Sequence, residues 1–214
     1  MTLAAEKTLK ASPSNRHRIL RAAGSLFRRQ GFHGTSTRDI ADKAGVSLGN
    51  IYNHFKTKEE LFVTLLEEHE AAYFDPSQPL VRALAQSAFP GNMEAVAAAS
   101  RKVVDKHSDY ILLIYVDVVE FGAAHVAKLF RNMRERYTRL MLDANGGRPP
   151  RLAPGVDPAS ALMLVTWSFF NYFTMEKLFG VKGHYGVPDE EVVRQFSAIF
   201  RHGVLPAGRT DRET

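Results

Sequence analysis

Cysteine is absent from all 214 residues, so neither a disulfide framework nor thiolate chemistry is open to this chain. That suits a reducing compartment, and a cytoplasmic protein is the expectation. Long hydrophobic runs are missing too. The most apolar stretch, 159–173, is interrupted by Ser160, Thr166, Ser168 and Asn171. It falls short of the roughly 20 apolar residues that a membrane span requires. Met1 to Ser14 has no apolar core, so no secretory leader is expected. The eight histidines include no HExxH pattern and no pair at metal-ligand spacing. Gly146 and Gly147 run into prolines rather than into a lysine-bearing helix start, and no serine sits in a GxSxG setting. No enzyme, no metal site and no cofactor are expected, and neither a strand pattern nor an internal repeat is visible.

What the chain has is helical periodicity. A first helix, about Ser14 to Gln30, aligns Ile19, Leu20, Ala23, Leu26 and Phe27 on one stripe, and Gly31 ends it. Lys58 to Phe74 reads as a longer helix stopped by the proline-rich run at 75–79. Further helices are expected at 79–89, 92–106 and 109–143, the last bent at Gly122. An irregular loop follows at 145–158, then helices at 158–179 and 188–203.

The most informative segment runs from Thr35 to Phe62. Ser36 followed by Asp39 is a capping-box signature, and Ile40, Ala41 and Ala44 give the helix a narrow apolar stripe. Gly45 stands where that helix must stop. Ser47 can cap a second helix with Ile51 and Phe55 inward, which leaves Leu48, Gly49, Asn50, Tyr52, Asn53 and His54 outward. Thr57 and Glu60 form another capping box, opening a third helix at Lys58. Helix, glycine turn, helix is the pattern whose second helix enters the DNA major groove. The outward face carries hydrogen-bonding groups with almost no charge and is framed by Lys56 and Lys58, a composition suited to a groove rather than to water.

From about Arg16 to Leu66 the chain resembles the DNA-binding domain of the TetR family of bacterial transcription regulators. The residues that carry the resemblance are Phe27, Gly31, Phe32, Gly34 and Thr35; Thr37-Arg38-Asp39-Ile40-Ala41; Ala44-Gly45-Val46-Ser47; and Tyr52-Asn53-His54-Phe55 with Lys56 and Lys58. The resemblance covers the first third of the chain. It implies phosphate contacts from Thr37, Ser47, Tyr52, His54 and Lys58. It places Leu48, Gly49, Asn50 and Asn53 at base edges. Leu48 departs from the polar or basic residue often found there, and a thymine methyl is its natural neighbour; Asn50 or Asn53 can address adenine.

Charge is divided in the same way. Residues 1–64 hold eleven Lys and Arg against five acids, while the whole chain nets +5, so the excess positive charge lies with the helix-turn-helix. Lys7, Lys10 and Arg16 belong either to a flexible arm over the minor groove or, more simply, to a plainly disordered segment.

The fold expected is all-α with about nine helices: an arm at 1–13, a three-helix helix-turn-helix DNA-binding domain at 14–64, a helical ligand-binding and dimerisation domain at 65–205, and a tail at 206–214. Helix 158–179 is apolar nearly all round, and the resemblance implies a homodimer through helices 158–179 and 188–203, matched to a palindromic operator in double-stranded DNA. It also implies a small-molecule effector held by the C-terminal helices, with Tyr110, Tyr115, Phe121, Trp167, Phe170, Asn171 and Phe173 as candidate lining groups. Asp117 and Glu120, three apart among apolar neighbours, must each find a partner or solvent. That partner is either a cationic ligand or an arginine: Arg131, Arg134 or one on the last helix. The effector is expected to be largely apolar, with its charge open between a lipophilic cation and an acyl chain. The function expected is a ligand-responsive regulator, most simply a repressor in a bacterial cytoplasm. The alternative is a helical ligand-binding or adaptor protein whose basic head binds DNA non-specifically, marked by steep salt dependence without sequence preference.

Overall fold

The computed structural model describes residues 14–85 and 89–202, which form nine α-helices and no strand. The expected arm at 1–13, with Lys7 and Lys10, and the tail at 206–214 lie outside the described residues. The chain divides into two compact units, the second starting at Glu67 rather than at 65. Leu65 and Leu66 are buried, and the Leu65 side chain fits against Gly24, where a Cβ would meet it at 3.6 Å.

The first unit comprises α1 (Asn15–Gln30), α2 (Thr37–Ala44), α3 (Leu48–His54) and the start of α4 (Lys58–Tyr73). Ser14 caps α1 by accepting the His17 N–H at 3.3 Å. The stripe Ile19, Leu20, Ala23, Leu26 and Phe27 is buried, as its spacing requires. Phe27, Phe32 and Phe62 close the core edge to face or tilted, with ring centroids 5.4 to 5.6 Å apart. Each such ring adds about 1.5–3 kcal/mol by leaving water.

The second unit holds the end of α4 with α5 (Pro79–Ala85), α6 (Met93–Phe121), α7 (Ala127–Ala144), α8 (Pro158–Leu178) and α9 (Asp189–His202). Here α8 packs on α6 and α7, α5 on the same two helices, and α9 on α6. The expected gap between helices 92–106 and 109–143 is a kink at His107 inside one continuous α6. The expected bend at Gly122 is a full stop. Gly122 and Ala123 both take left-handed φ values, 60° and 64°, and the Ala123 N–H bonds back to the Asp117 carbonyl at 3.1 Å. The helix expected over 79–89 is described only to Ala85, and Phe89 lies in a turn. Asp157 caps α8, with Pro158 at the first helical position, where a missing N–H costs nothing.

Candidate nucleic-acid interface and ligand cavity

The presentation of α3 begins with α2. Ser36 and Asp39 form the complete reciprocal box: the Asp39 N–H donates to Ser36 Oγ at 3.1 Å and the Ser36 N–H to Asp39 Oδ2 at 2.9 Å. The Ser36 side-chain and backbone hydrogen bonds hold the Asp39 carboxyl below its ordinary range. Gly45 is left-handed at φ 64°, and the Arg18 guanidinium donates to its carbonyl at 2.8 Å. Any Cβ there would stand 2.6 Å from that guanidinium. Arg16 lies 5.7 Å from the Phe55 ring centroid, so α1 braces both the turn and the end of α3. No local pattern marks these two arginines for that task.

Ser47 caps α3 through the Asn50 N–H at 3.2 Å, and Ile51 and Phe55 are buried. Gly49, Tyr52, Asn53 and His54 are exposed, Tyr52 at 52%, while Leu48, Asn50 and Thr37 are half-buried. One face of α3 therefore carries the candidate base-edge and phosphate groups together. Thr57 Oγ1 accepts the Glu60 N–H at 2.9 Å, while the Glu60 carboxylate reaches back to the N–H of Lys56 at 2.7 Å, one residue before the box position. The Lys58 ammonium donates to the carbonyls of Phe32 and Thr35 at 2.8 and 2.7 Å and lies over the Phe32 ring, so it fastens the α1–α2 connection.

A cavity of about 50 Å³ lies in the second unit, almost wholly apolar. Tyr73 and Phe74 wall it at the end of α4, Tyr110 and Ile114 from α6, Leu129, Met133 and Tyr137 from α7, and Trp167 and Phe170 from α8. Burial pushes the hydroxyls of Tyr73, Tyr110 and Tyr137 well above the ordinary tyrosine range. The Tyr73, Tyr137 and Thr166 hydroxyls lie near one another, and Thr166 donates to the Leu162 carbonyl at 2.8 Å.

Residues 19–65 match the family model of bacterial regulatory proteins, tetR family. The N-terminal domain belongs to the TetR family. The HTH-type transcriptional repressor KstR2 of Mycolicibacterium smegmatis is 40% identical over 55 residues, covering 26% of this chain. The chain thereby spans 27% of that relative's length. In overall structure the chain is similar to the fatty acid degradation regulator FadR from Bacillus halodurans, with a TM-score of 0.59 at 16% identity, covering 91% of this chain and 98% of that one. It is also similar to the ketosteroid transcriptional regulator KstR2 of Mycobacterium tuberculosis, with a TM-score of 0.58 at 19% identity, covering 90% and 95%. At these identities the likeness is one of fold. The relatives named are regulators, not enzymes.

Beyond the TetR-family domain, the candidate ligand residues do not all converge. Tyr110, Trp167 and Phe170 line the cavity. Tyr115, five residues beyond Tyr110 and so about 140° round the helix, is exposed. Asn171 is exposed as well. Phe173 is buried under the Arg101 guanidinium, and Phe121 packs edge-on against His125. Glu120 is half-buried and does not line the cavity. Sequence reasoning misses Tyr73, Phe74, Phe130 and Tyr137; only the four-residue spacing of Leu129, Met133, Tyr137 and Met141 hints at an inward face of α7.

Within the protein the partner of Asp117 is a histidine rather than an arginine. Fully buried, Asp117 lies 2.5 Å from His125 Nδ1 and accepts the N–H groups of His125 and Val126 at 3.2 and 3.0 Å. The left-handed Gly122–Ala123 pair folds the chain back and brings those donors to it. Arg134 instead pairs with Asp157 at 2.9 Å, and on the last helix Arg201 pairs with Glu94 and Arg194 with Glu191.

Proposed function

We propose that this chain is a sequence-specific transcription regulator that binds a palindromic operator as a homodimer and is released by a small, largely apolar molecule, most simply as a repressor in a bacterial cytoplasm. The observation that carries the reading is the α3 face: a neutral array of amide, phenol and imidazole groups, rigidly capped and braced, on the basic third of the chain. The repressor name of KstR2 supports the direction of regulation. A dimer is supported by apolar side chains left in water on the last two helices and at the end of α8: Leu164 at 60% exposure, Met175 and Ile199, with Phe179 at 59% just past Leu178. A two-fold pair of α3 helices then reads half-sites about 34 Å or a multiple of it apart. Among the described residues no helix is long and apolar enough to cross a membrane.

Selection from a random duplex pool at two salt concentrations tests the reading. The expected result is a palindrome with half-sites spaced by whole helical turns. A pool that stays random, with affinity falling steeply in salt, would mean that the basic domain holds phosphates alone and would overturn the proposal in favour of a non-specific head.

A further inference from the structure

Resting on the regulator reading above, we infer that the effector is uncharged: a slender apolar molecule, an alkyl chain or a single ring, that seats one hydroxyl or carbonyl oxygen against the Tyr73 and Tyr137 hydroxyls.

The lining decides the charge. Among the described residues no Asp, Glu, Lys, Arg or His borders the cavity, so an ion entering it would surrender its water without a counter-charge. The charged groups nearby are already engaged: Arg136 pairs with Glu70 and its guanidinium lies 4.2 Å from the Phe74 ring centroid. Asp117, the acid best placed in sequence to attract a cation, is sealed by His125 and the start of α7. The polar equipment that remains is hydroxyl. Thr166 directs its proton to the Leu162 carbonyl, which leaves the phenols, of which those of Tyr73 and Tyr137 lie side by side, as the hydroxyls able to turn toward a ligand. Burial keeps these phenols protonated far above neutral pH, so they supply hydrogen bonds and no charge. One oxygen on the ligand satisfies this group; a more polar ligand would strand atoms in the apolar remainder.

Size decides the shape. At about 50 Å³ the cavity is well below the roughly 150 Å³ of an engineered apolar cavity that accepts benzene. Entry therefore requires the walls to move. Met133 is unbranched and adapts. The exposed Phe130 and the half-buried Trp167 and Phe170 follow one another in tilted and edge-on contact, with centroids 5.8 and 6.1 Å apart, and form the side of the cavity nearest solvent. A slender molecule passes such a gate with rotamer changes alone, whereas a rigid fused-ring system does not.

Trp167 is the only tryptophan in the chain, so its emission reads cavity occupancy directly and without DNA. Purified protein is titrated near neutral pH with 1-octanol, octanoate and octylammonium, probes matched in chain length. The expected result is a saturable change with 1-octanol and binding at least about tenfold weaker for both ions. Tyr137→Phe, and Tyr73→Phe as an independent variant, should weaken 1-octanol by about three- to tenfold. Tyr115→Phe, on an exposed residue, should leave it unchanged. Equal or tighter binding of either ion overturns the inference, as does silence of Trp167 toward all three probes. The selected operator separates the two readings. If DNA selection fails while 1-octanol still titrates, the regulator reading falls and the cavity assignment stands. If the palindrome is bound but released by an ion instead, the reverse holds.

Discussion

Lys58 sits with its ammonium between two backbone carbonyls and over a phenyl ring, and this geometry assigns it a first duty inside the protein. Lys58→Met would keep the aliphatic stem on Phe32 and leave both carbonyls without their charged donor. The expected loss is about 1.5–3 kcal/mol in urea unfolding followed by circular dichroism. A lysine that served DNA alone would leave that curve unmoved. Tyr52 and Asn50 divide differently. Tyr52 is exposed at the edge of the α3 face, so Tyr52→Ala should weaken operator and random duplex by one common factor. Asn50 carries an enclosed amide oxygen without a hydrogen-bond partner, and turning the amide toward a base edge relieves it. Asn50→Ala should therefore cost about 1–3 kcal/mol more on the operator than on random DNA, measured by titration at one salt concentration. Equal losses on both would reject the division.

At the scale of the helix, caps carry the argument. Asp157 accepts from the Ser160 N–H and hydroxyl and from Arg134, and the Ser160 hydrogen bonds, followed by that of Arg134, bring its carboxyl down to about 2 from 3.8. A depressed folded-state value means that this contribution is complete above the unfolded value. It drains away as the pH falls from about 4 toward 2. Thermal midpoints recorded across that window should fall less steeply for Asp157→Asn than for the parent chain. Caps of this kind are legible in the sequence because their partners lie three residues apart: Ser36 with Asp39, Ser47 with the Asn50 N–H. The same locality makes Gly45 readable as a stop. Gly122 is harder to read, because a glycine bends a helix or ends it according to the conformation of its successor. That successor, Ala123, is an alanine in the left-handed region, in a reversal held by a buried acid. The partner of Asp117 is equally hidden. His125 is eight residues away and reaches it only through that reversal. The cavity is legible in part, since Trp167 and Phe170 share a face of α8 by spacing. Tyr73 and Tyr137 join it from α4 and α7 through packing that no local pattern encodes.

For the molecule as a whole, the exposed apolar face of α8 sets the assembly proposed above. Leu164→Glu places a charge in the middle of that face. Sedimentation velocity should then report monomer, operator affinity should collapse, and helical content should be retained. A dimer that survives the change would move the interface elsewhere. The clamp at the head of α7 has a consequence for the interior of the second unit. Asp117 pins His125 and Val126, the two residues that lead into the helix carrying Leu129, Phe130 and Met133, three of the cavity's walls. The empty space at the centre of this unit thus has part of its wall set in place by a carboxylate, an imidazole and two amides that never touch it.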